Sequence, residues 1–431
     1  MKIAALTYGC KINQYETICI LNDFIQAGWQ QVKFNQEADV YLINTCTVTN
    51  RTDYKSRNAI RKALEHKQNR PGSVIIVTGC YAQLNYNDIT NLGDIDYIID
   101  NNHKNIIYKI LQSLEDPGFA DIDNEHNFAE QTTSSMLNRS RAFIKVQDGC
   151  DYNCAYCAVT HARGPSRSRD PINILKQIRL LADNGYKEVV LAGVNLGLFG
   201  FDKNDNYYLK ELILDIKSIS GIELIRLSSL EPQLFTDSII KIFKDSDKIC
   251  PHFHIPLQSG SDKILHNMGR KYSQDEFKKL IIELNKISPY TAIGIDVIVG
   301  LPGETDEIFL ETRTFLEELP LAYFHVFPYS RRPNTVAADM PNQVHGTVSH
   351  QRVQELTALS AHKKAEFRQK LINNKVILKA VLESESINGF SGLSDHYIRI
   401  HCKSASIKTG DLVQGIPIRS IGEDLIIEVI T

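Results

Sequence analysis

The chain has 431 residues, 43% hydrophobic and 23% charged, with 48 basic and 51 acidic side chains and a net charge of −3. Its length exceeds one compact core and predicts about three domains at ~150 residues each. The ordinary composition excludes a disordered chain, a collagen and a coiled coil, and the charge balance excludes coating of nucleic acid by bulk charge alone, leaving room for a local RNA site.

No apolar run is long enough to cross a bilayer, and residues 1–8 turn polar too soon for a signal peptide. The expected compartment is the cytoplasm, with no membrane partner. In a reducing compartment nine cysteines are metal ligands, reactive thiols or core filler rather than disulfides.

Apolar, β-branched runs at 2–8, 39–45, 73–78 and 96–99 alternate with helical patterns at 13–27, 52–67 and 104–114. Strand–helix alternation predicts a doubly wound parallel sheet in a domain spanning 1–115. Residues 116–139 are polar and acidic and read as a linker. From 140 to 370 the alternation resumes. Strands are expected at 142–146, 188–192, 222–227, 253–257, 293–299 and 322–327, with helices such as 171–184 and 276–287. Six such units predict a partial (β/α)6 barrel, two short of a full one. A charged amphipathic helix follows at 351–370. Residues 371–431 carry short strands at 376–382, 397–401, 412–416 and 425–430 and no helix signal. They predict a small all-β domain.

Cys150, Cys154 and Cys157 form a CxxxCxxC loop after the strand at 142–146. Three thiolates are one short of saturating a four-iron cluster. The open iron suits a chelating amine and carboxylate, such as the methionine end of S-adenosylmethionine. Structural zinc is the competing reading, because His161 could close a Cys3His site.

Cys10, Cys46 and Cys80 each end a predicted strand, and in an open parallel sheet those ends share one ligand-binding edge. Three cysteines far apart in sequence would thus converge. Gly9 and Gly79 let the backbone turn beside a bulky ligand. A three-cysteine site here also leaves one iron open, for an exogenous sulfur. Cys19, Cys250 and Cys402 lack such company and read as filler. The densest basic stretch, Arg163 to Arg169, follows the main cysteine loop, and Arg331 and Arg332 form a second group.

Catalytic groups of a (β/α) barrel lie just after its strands. Those positions hold Gly193 and Asn195, Ser229 and Glu231, Gln258 and Ser259, and Gly300 to Thr305. Arg270 suits a ligand carboxylate, since guanidinium binds carboxylate through two parallel bonds.

Cys150-Asp151-Tyr152-Asn153-Cys154-Ala155-Tyr156-Cys157 resembles the radical S-adenosylmethionine signature, including the aromatic residue before the last cysteine. Combined with Cys10, Cys46 and Cys80 in a leading α/β domain and a terminal β module, the whole chain resembles the methylthiotransferases. Residues 8–17 and 162–168 look most like the branch that converts N6-threonylcarbamoyladenosine, at position 37 beside the tRNA anticodon, to its 2-methylthio form. Asn195 stands where that pattern has His. Related branches act on isopentenyladenosine in tRNA or on an aspartate of a ribosomal protein. A non-catalytic, zinc-organised RNA-binding protein is the remote alternative.

The resemblance implies two [4Fe-4S] clusters and S-adenosylmethionine. Cys150, Cys154 and Cys157 would hold the catalytic cluster. Cys10, Cys46 and Cys80 would hold an auxiliary cluster that carries the methylated sulfur. Tyr156, Gly193, Asn195, Ser229, Glu231, Gln258, Ser259, Arg270 and Ile298 would line the cofactor pocket. A radical made from S-adenosylmethionine would remove hydrogen from C2 of the adenine. Expected partners are the tRNA anticodon loop and an electron donor such as a flavodoxin or ferredoxin; the sulfur donor stays open. The C-terminal piece resembles a TRAM domain.

Overall fold

A computed structural model describes every residue except 115–117, 120–121, 123–124, 388, 404–405 and 431. The chain divides into two compact units. The first takes Met1–Leu137, Phe143–Asp170 and Ser330–Ala338, and the second takes Asn138–Ala142, Pro171–Tyr329 and Asp339–Thr431.

In the first unit the elements run β1 (Lys2–Thr7), α1 (Lys11–Gln26), β2 (Gln30–Val32), β3 (Val40–Thr45), α2 (Asn50–Asn69), β4 (Val74–Gly79), α3 (Cys80–Leu84), α4 (Tyr86–Thr90), β5 (Tyr97–Ile99) and α5 (Ile107–Ser113). The five strands pair in parallel in the order β2-β1-β3-β4-β5. β3 is buried at every position and shows no polar alternation, as a strand covered on both faces should. Ile20, Leu21 and Phe24 of α1 pack on one face with Ile107 and Ile110 of α5. Ala59, Ile60 and Ala63 of α2 pack on the other. The chain thus turns one way from β1 to β2 and the other way to β3, which makes the β1/β3 gap the switch point of a doubly wound sheet.

The expected linker begins at 116 and 117, outside the described residues. Its later part is bound to α1. Tyr15 Oη donates to Gln131 O at 2.7 Å, and Asn22 Nδ2 donates to Thr133 Oγ1 at 2.7 Å and Ser135 O at 3.0 Å. β6 (Ala142–Lys145) follows, then β7 (Gln147–Asp148), α6 (Val159–Arg163) and β8 (Arg167–Ser168). β7 and β8 form a two-residue antiparallel clasp that closes the base of the cysteine loop.

The second unit runs α7 (Pro171–Asp183), β9 (Glu188–Ala192), α8 (Leu209–Lys217), β10 (Leu224–Leu227), α9 (Asp237–Lys244), β11 (His252–Gln258), α10 (Asp262–Asn267), α11 (Gln274–Ile287), β12 (Ala292–Val299), α12 (Asp306–Glu318) and β13 (Tyr323–Pro328). β9 pairs with β10, and β11, β12 and β13 pair in order, all in parallel. Ile225 N to Lys248 O at 2.7 Å and Cys250 N to Ile225 O at 2.9 Å join the two groups. The six strands expected between 140 and 370 are β6 and β9–β13. Helices follow them as in an open (β/α) barrel.

After the short α13 (Val336–Asp339), α14 (Gly346–Asn373) leads to β14 (Leu378–Ser386), β15 (Gly389–Ser394), β16 (Arg399–Cys402), β17 (Leu412–Ile421) and β18 (Asp424–Ile430). These five strands close into a barrel, β14-β15-β16-β18-β17. Leu378, Ala380 and Leu382 alternate into its core with Ile400, Val413, Leu425 and Ile427, and Phe367 and Leu371 of α14 join them. Sequence pattern anticipates four of the five strands; β15 reads Gly-Phe-Ser-Gly-Leu-Ser and looks like a turn.

Candidate active site

β1, β3 and β4 are neighbours in the sheet, and their registers pair Thr7 with Asn44 and Thr45 with Gly79. Their carboxyl ends are therefore level. Cys10 is the first residue before α1, Cys46 follows β3, and Cys80 opens α3. The set straddles the switch point. Gly9 has φ +99°, and a Cβ there would lie 2.8 Å from Cys46 Cβ and 2.9 Å from its Sγ. Gly79 has φ +102°, and its Cβ would strike Thr45 O at 2.2 Å. Only glycine lets these turns bring the cysteines together. Burial raises both the Cys10 and the Cys46 thiols, and the neighbouring Cys80 adds to the rise in each. Burial, then the charge of Cys80, pushes the Cys46 thiol up to about 12. A metal bound there would strip that proton, because a coordinating thiol is deprotonated. Three sulfur donors around a cradle that a single methyl would fill fit an iron–sulfur group.

Beneath this set lies an ionic network with no counterpart in the motif reading. Glu16 of α1 accepts from Arg163 Nη1 at 3.0 Å, from Lys145 Nζ at 2.8 Å and from Lys104 Nζ at 2.5 Å. Asp148 meets Arg163 at 2.8 Å and Lys145 at 2.6 Å. Arg163 Nη2 also donates to Asn13 Oδ1 at 2.6 Å, and Asn13 Nδ2 donates to Tyr8 O at 2.9 Å and Thr45 O at 3.0 Å. All these ionic side chains are nearly or fully buried. Burial would raise the Glu16 and Asp148 carboxyls, but Arg163, Lys104 and Lys145 around Glu16, and Arg163 and Lys145 around Asp148, hold them below the usual carboxylate range. The basic stretch of the sequence is therefore interior: Arg163, Arg167 and Arg169 are each at most 2% exposed. Arg332 is likewise buried, on Asp53 Oδ2 at 2.6 Å and Thr47 O at 3.2 Å.

The second cysteine loop hangs from the β7–β8 clasp. Gln147 Nε2 donates to Gly149 O at 2.8 Å and Ser166 Oγ at 2.9 Å, while Ser166 N donates to Asp151 Oδ1 at 2.8 Å. Gly149 has φ +72°, and a Cβ would strike Pro165 O at 1.9 Å. Backbone N–H groups of Tyr152 and Val159 point at the sulfurs of Cys150 and Cys157, each at 3.4 Å. Such N–H···S contacts fit an iron–sulfur ligand set, whose potential they tune. Cys150, Cys154, Cys157 and Tyr156 are half-buried and His161 is exposed. α6, immediately after the loop, packs on α3, with Asn101 Nδ2 bonding Ala162 O at 2.6 Å. Both cysteine sets thus belong to the first unit.

The other expected residues belong to the second unit. Arg270 forms an ion pair with Glu231 and lies 5.0 Å above the Tyr272 ring. Burial pushes the Glu231 carboxyl up even with Arg270 beside it. Gln258 has φ +71° at a register shift in β11, where Tyr272 Oη donates to Pro256 O and Leu257 O, both at 2.8 Å. A left-handed glutamine at a bulge costs about 1–3 kcal/mol and is held only by its surroundings, a signature of functional positions. Ser259 is buried and accepts from Ser261 N at 3.3 Å, so it shapes the turn. Gly193 N donates to Ser228 Oγ at 3.3 Å, and Asn195 is buried at the start of a one-turn helix. Ile298 is half-buried on β12, two residues beyond Asp296. Ser229 Oγ meets His254 Nδ1 at 2.7 Å, and His254 Nε2 meets Asp296 Oδ1 at 3.1 Å. Ligand atoms of His254, Asp296 and His325 all lie within 4.8 Å of one another. Neither histidine was singled out from sequence, although the alternation His252-Phe253-His254 placed both of its histidines on one face of β11. Cys19, Cys250 and Cys402 are buried, and burial raises the pKa of each.

Residues 144–316 match the Radical SAM superfamily, and residues 2–100 match the uncharacterized protein family UPF0004. The threonylcarbamoyladenosine tRNA methylthiotransferase MtaB of Bacillus subtilis (strain 168) is 39% identical over 420 residues, which is 96% of this chain and 92% of that protein. The chain belongs to the radical S-adenosylmethionine methylthiotransferases. A second methylthiotransferase named MtaB, from Aquifex aeolicus (strain VF5), is 39% identical over 93% of this chain and 96% of its own. The tRNA-2-methylthio-N(6)-dimethylallyladenosine synthase of Thermoanaerobacter sp. (strain X514) is 32% identical over 88% of this chain and 82% of its own. Among solved structures, the radical S-adenosylmethionine methyltransferase TsrM from Kitasatospora setae shares the fold, with a TM-score of 0.56 at 12% identity over 78% of this chain and 77% of that one. The methylthiotransferase chain has no helix long and apolar enough to cross a membrane among its described residues.

Proposed function

We propose that the protein converts N6-threonylcarbamoyladenosine at position 37 of tRNA to its 2-methylthio derivative. What supports this reading is the placement of Cys10, Cys46 and Cys80 at three adjacent strand ends, in a chain 39% identical to a threonylcarbamoyladenosine tRNA methylthiotransferase. Cys10, Cys46 and Cys80 would hold one [4Fe-4S] cluster, and Cys150, Cys154 and Cys157 the other. When bound, the second supplies the electron that cleaves S-adenosylmethionine, and the first carries the sulfur to be transferred.

The chain's own residues bind and orient. Arg270 would take the carboxylate of S-adenosylmethionine, with Glu231 beside it fixing the guanidinium plane and meeting the ligand's amino group. Gln258, Ser259, Gly193, Asn195, Ser229 and Ile298 would complete the pocket. His254 is held by Ser229 and Asp296, one on each ring nitrogen, so its ring is fixed rather than freely turning. We assign domains at 1–115, 140–370 and 371–431, with 116–139 between them, the last domain being TRAM-like. The tRNA anticodon loop is the expected partner, because single-stranded loops let a base be splayed out. A flavodoxin- or ferredoxin-type donor in the cytoplasm would supply electrons.

Mass analysis of tRNA nucleosides tests the reading. A strain lacking the gene should lose 2-methylthio-threonylcarbamoyladenosine and keep the unmodified nucleoside. Loss of the 2-methylthio-isopentenyl form instead would assign the sister branch. An unchanged tRNA profile would refute both.

A further inference from the structure

The buried network around Glu16 carries more positive than negative charge. Glu16 and Asp148 are its two buried acids in this network, and Lys104, Lys145, Arg163 and Arg167 are its four buried cations. Arg167 Nη2 sits 3.8 Å from Asp148 and donates to Arg163 O, Nη1 donates to Glu125 O, and the buried Nε has no hydrogen-bond partner among the described residues. A buried charge without its counter-charge costs several kcal/mol, so the two cations in excess of Glu16 and Asp148 call for further negative charge close by.

The network's position says which anion. Arg163 Nη2 holds Asn13 Oδ1 at 2.6 Å, and Asn13 Nδ2 holds the carbonyls of Tyr8 and Thr45, the residues just before Gly9-Cys10 and Cys46. A Cβ on Gly9 would lie 3.2 Å from Asn13 Nδ2 and 2.9 Å from Cys46 Sγ, so one small cradle joins the network to the thiols. Arg163 also attracts the sulfurs of Cys10 and Cys80, and Lys104 that of Cys80. Through Asn13, Arg163 therefore stands behind the first cysteine set, and Glu16 holds Lys104 and Lys145 beside it.

We propose that Lys104, Lys145 and Arg163 form a buried cationic seat that sets the reduction potential of the iron–sulfur group on Cys10, Cys46 and Cys80, with Glu16 and Asp148 fixing the cations in place. This rests on the cluster assignment above. Reduction adds one electron to the group from a low-potential one-electron donor; no bond forms or breaks and no proton is taken up. The group and its three thiolates gain one negative charge, which buried cations stabilise. Lys104, Lys145, Arg163 and Glu16 act as positioning residues, since none of them is a ligand.

The experiment uses the full chain, reconstituted anaerobically, with Cys150, Cys154 and Cys157 all changed to Ala so that one cluster remains. Its midpoint is read by redox titration with electron paramagnetic resonance. Lys104→Met should lower the midpoint, shifting the ratio of reduced to oxidised cluster at fixed potential by about tenfold, or about 59 mV for one electron. Glu16→Gln should raise it, because it removes a negative charge. Lys145→Met serves as a second cation variant where Lys104→Met yields too little folded protein. Opposite shifts support the proposal. A full iron complement with unmoved midpoints, or shifts of the same sign, overturns it while leaving the cluster assignment intact. Absence of any cluster in the triple-alanine chain overturns the assignment and the proposal together.

Discussion

Glu16 and Arg163 are 147 residues apart in sequence and meet in the interior of the first unit, through contacts of 3.0 and 3.2 Å. The pair joins the first helix of the chain to the helix that follows the second cysteine loop. Breaking one side leaves charge stranded. Glu16→Ala should destabilise the chain by about 3–5 kcal/mol, measured by denaturant unfolding, because three buried cations lose a shared partner.

Acid should act on the same network. The Glu16 and Asp148 carboxyls sit below their ordinary values of 4.5 and 3.8 in the folded chain. Depressed carboxyls contribute stability that is whole above those values and is lost as pH falls through the folded ones. Melting temperature should therefore drop steeply below about pH 4, and the slope should be shallower in Glu16→Gln. An identical slope in the variant would remove Glu16 from the acid response.

Gly9→Ala forces a left-handed alanine into the space of Cys46 Sγ. The backbone strain alone is about 1–2 kcal/mol. The expected result is a folded chain by circular dichroism whose iron falls from about eight to about four atoms after anaerobic reconstitution. A full iron content would separate Cys46 from the cluster.

Arg270→Met removes the cation beside Glu231. Loss of a charged hydrogen-bonding partner is worth about 1.5–3 kcal/mol, so S-adenosylmethionine binding should weaken by about ten- to a hundredfold. Equilibrium dialysis of the reconstituted protein measures it. Unchanged affinity would take Arg270 out of the pocket.

Arg226 is fully buried, with Glu188 at 2.7 Å, Ser394 O at 2.8 Å and Asp395 O at 3.1 Å. It ties the terminal barrel to β9 and β10 within the second unit. Arg226→Met should lower stability by about 3–5 kcal/mol in thermal melts, and Glu188→Gln in the same chain should restore part of the loss.

The parallel character of the sheet and the place of Cys10, Cys46 and Cys80 at its strand ends were legible because they are written locally. Apolar runs end in Gly-Cys or Thr-Cys, and a parallel sheet gathers its strand ends without further information. What escaped was short or distant. β2 has three exposed or half-exposed residues at a sheet edge, α3 and α4 have five residues each, and β7 and β8 have two, all too short for periodicity to register. Arg163 to Arg169 read only as a dense basic stretch, because their partners, Glu16, Asp148 and Glu130, lie up to 147 residues away. Gln258 was named as a pocket residue, yet nothing in its neighbours announces a left-handed backbone. That conformation is imposed by Tyr272, which bonds the two carbonyls before it.

The five-stranded ring at the carboxyl terminus has one more implication. β14 pairs with β17 as well as with β15, and β16 with β18, so among the described residues each strand has a neighbour on both sides. Closing the ring in this way disfavours strand addition by a guest peptide or by another copy of the ring. Whatever this module touches must be met by outward side chains and by the turns between strands. Those surfaces can diverge from one homologue to the next while the hydrogen-bonded hoop beneath them is kept.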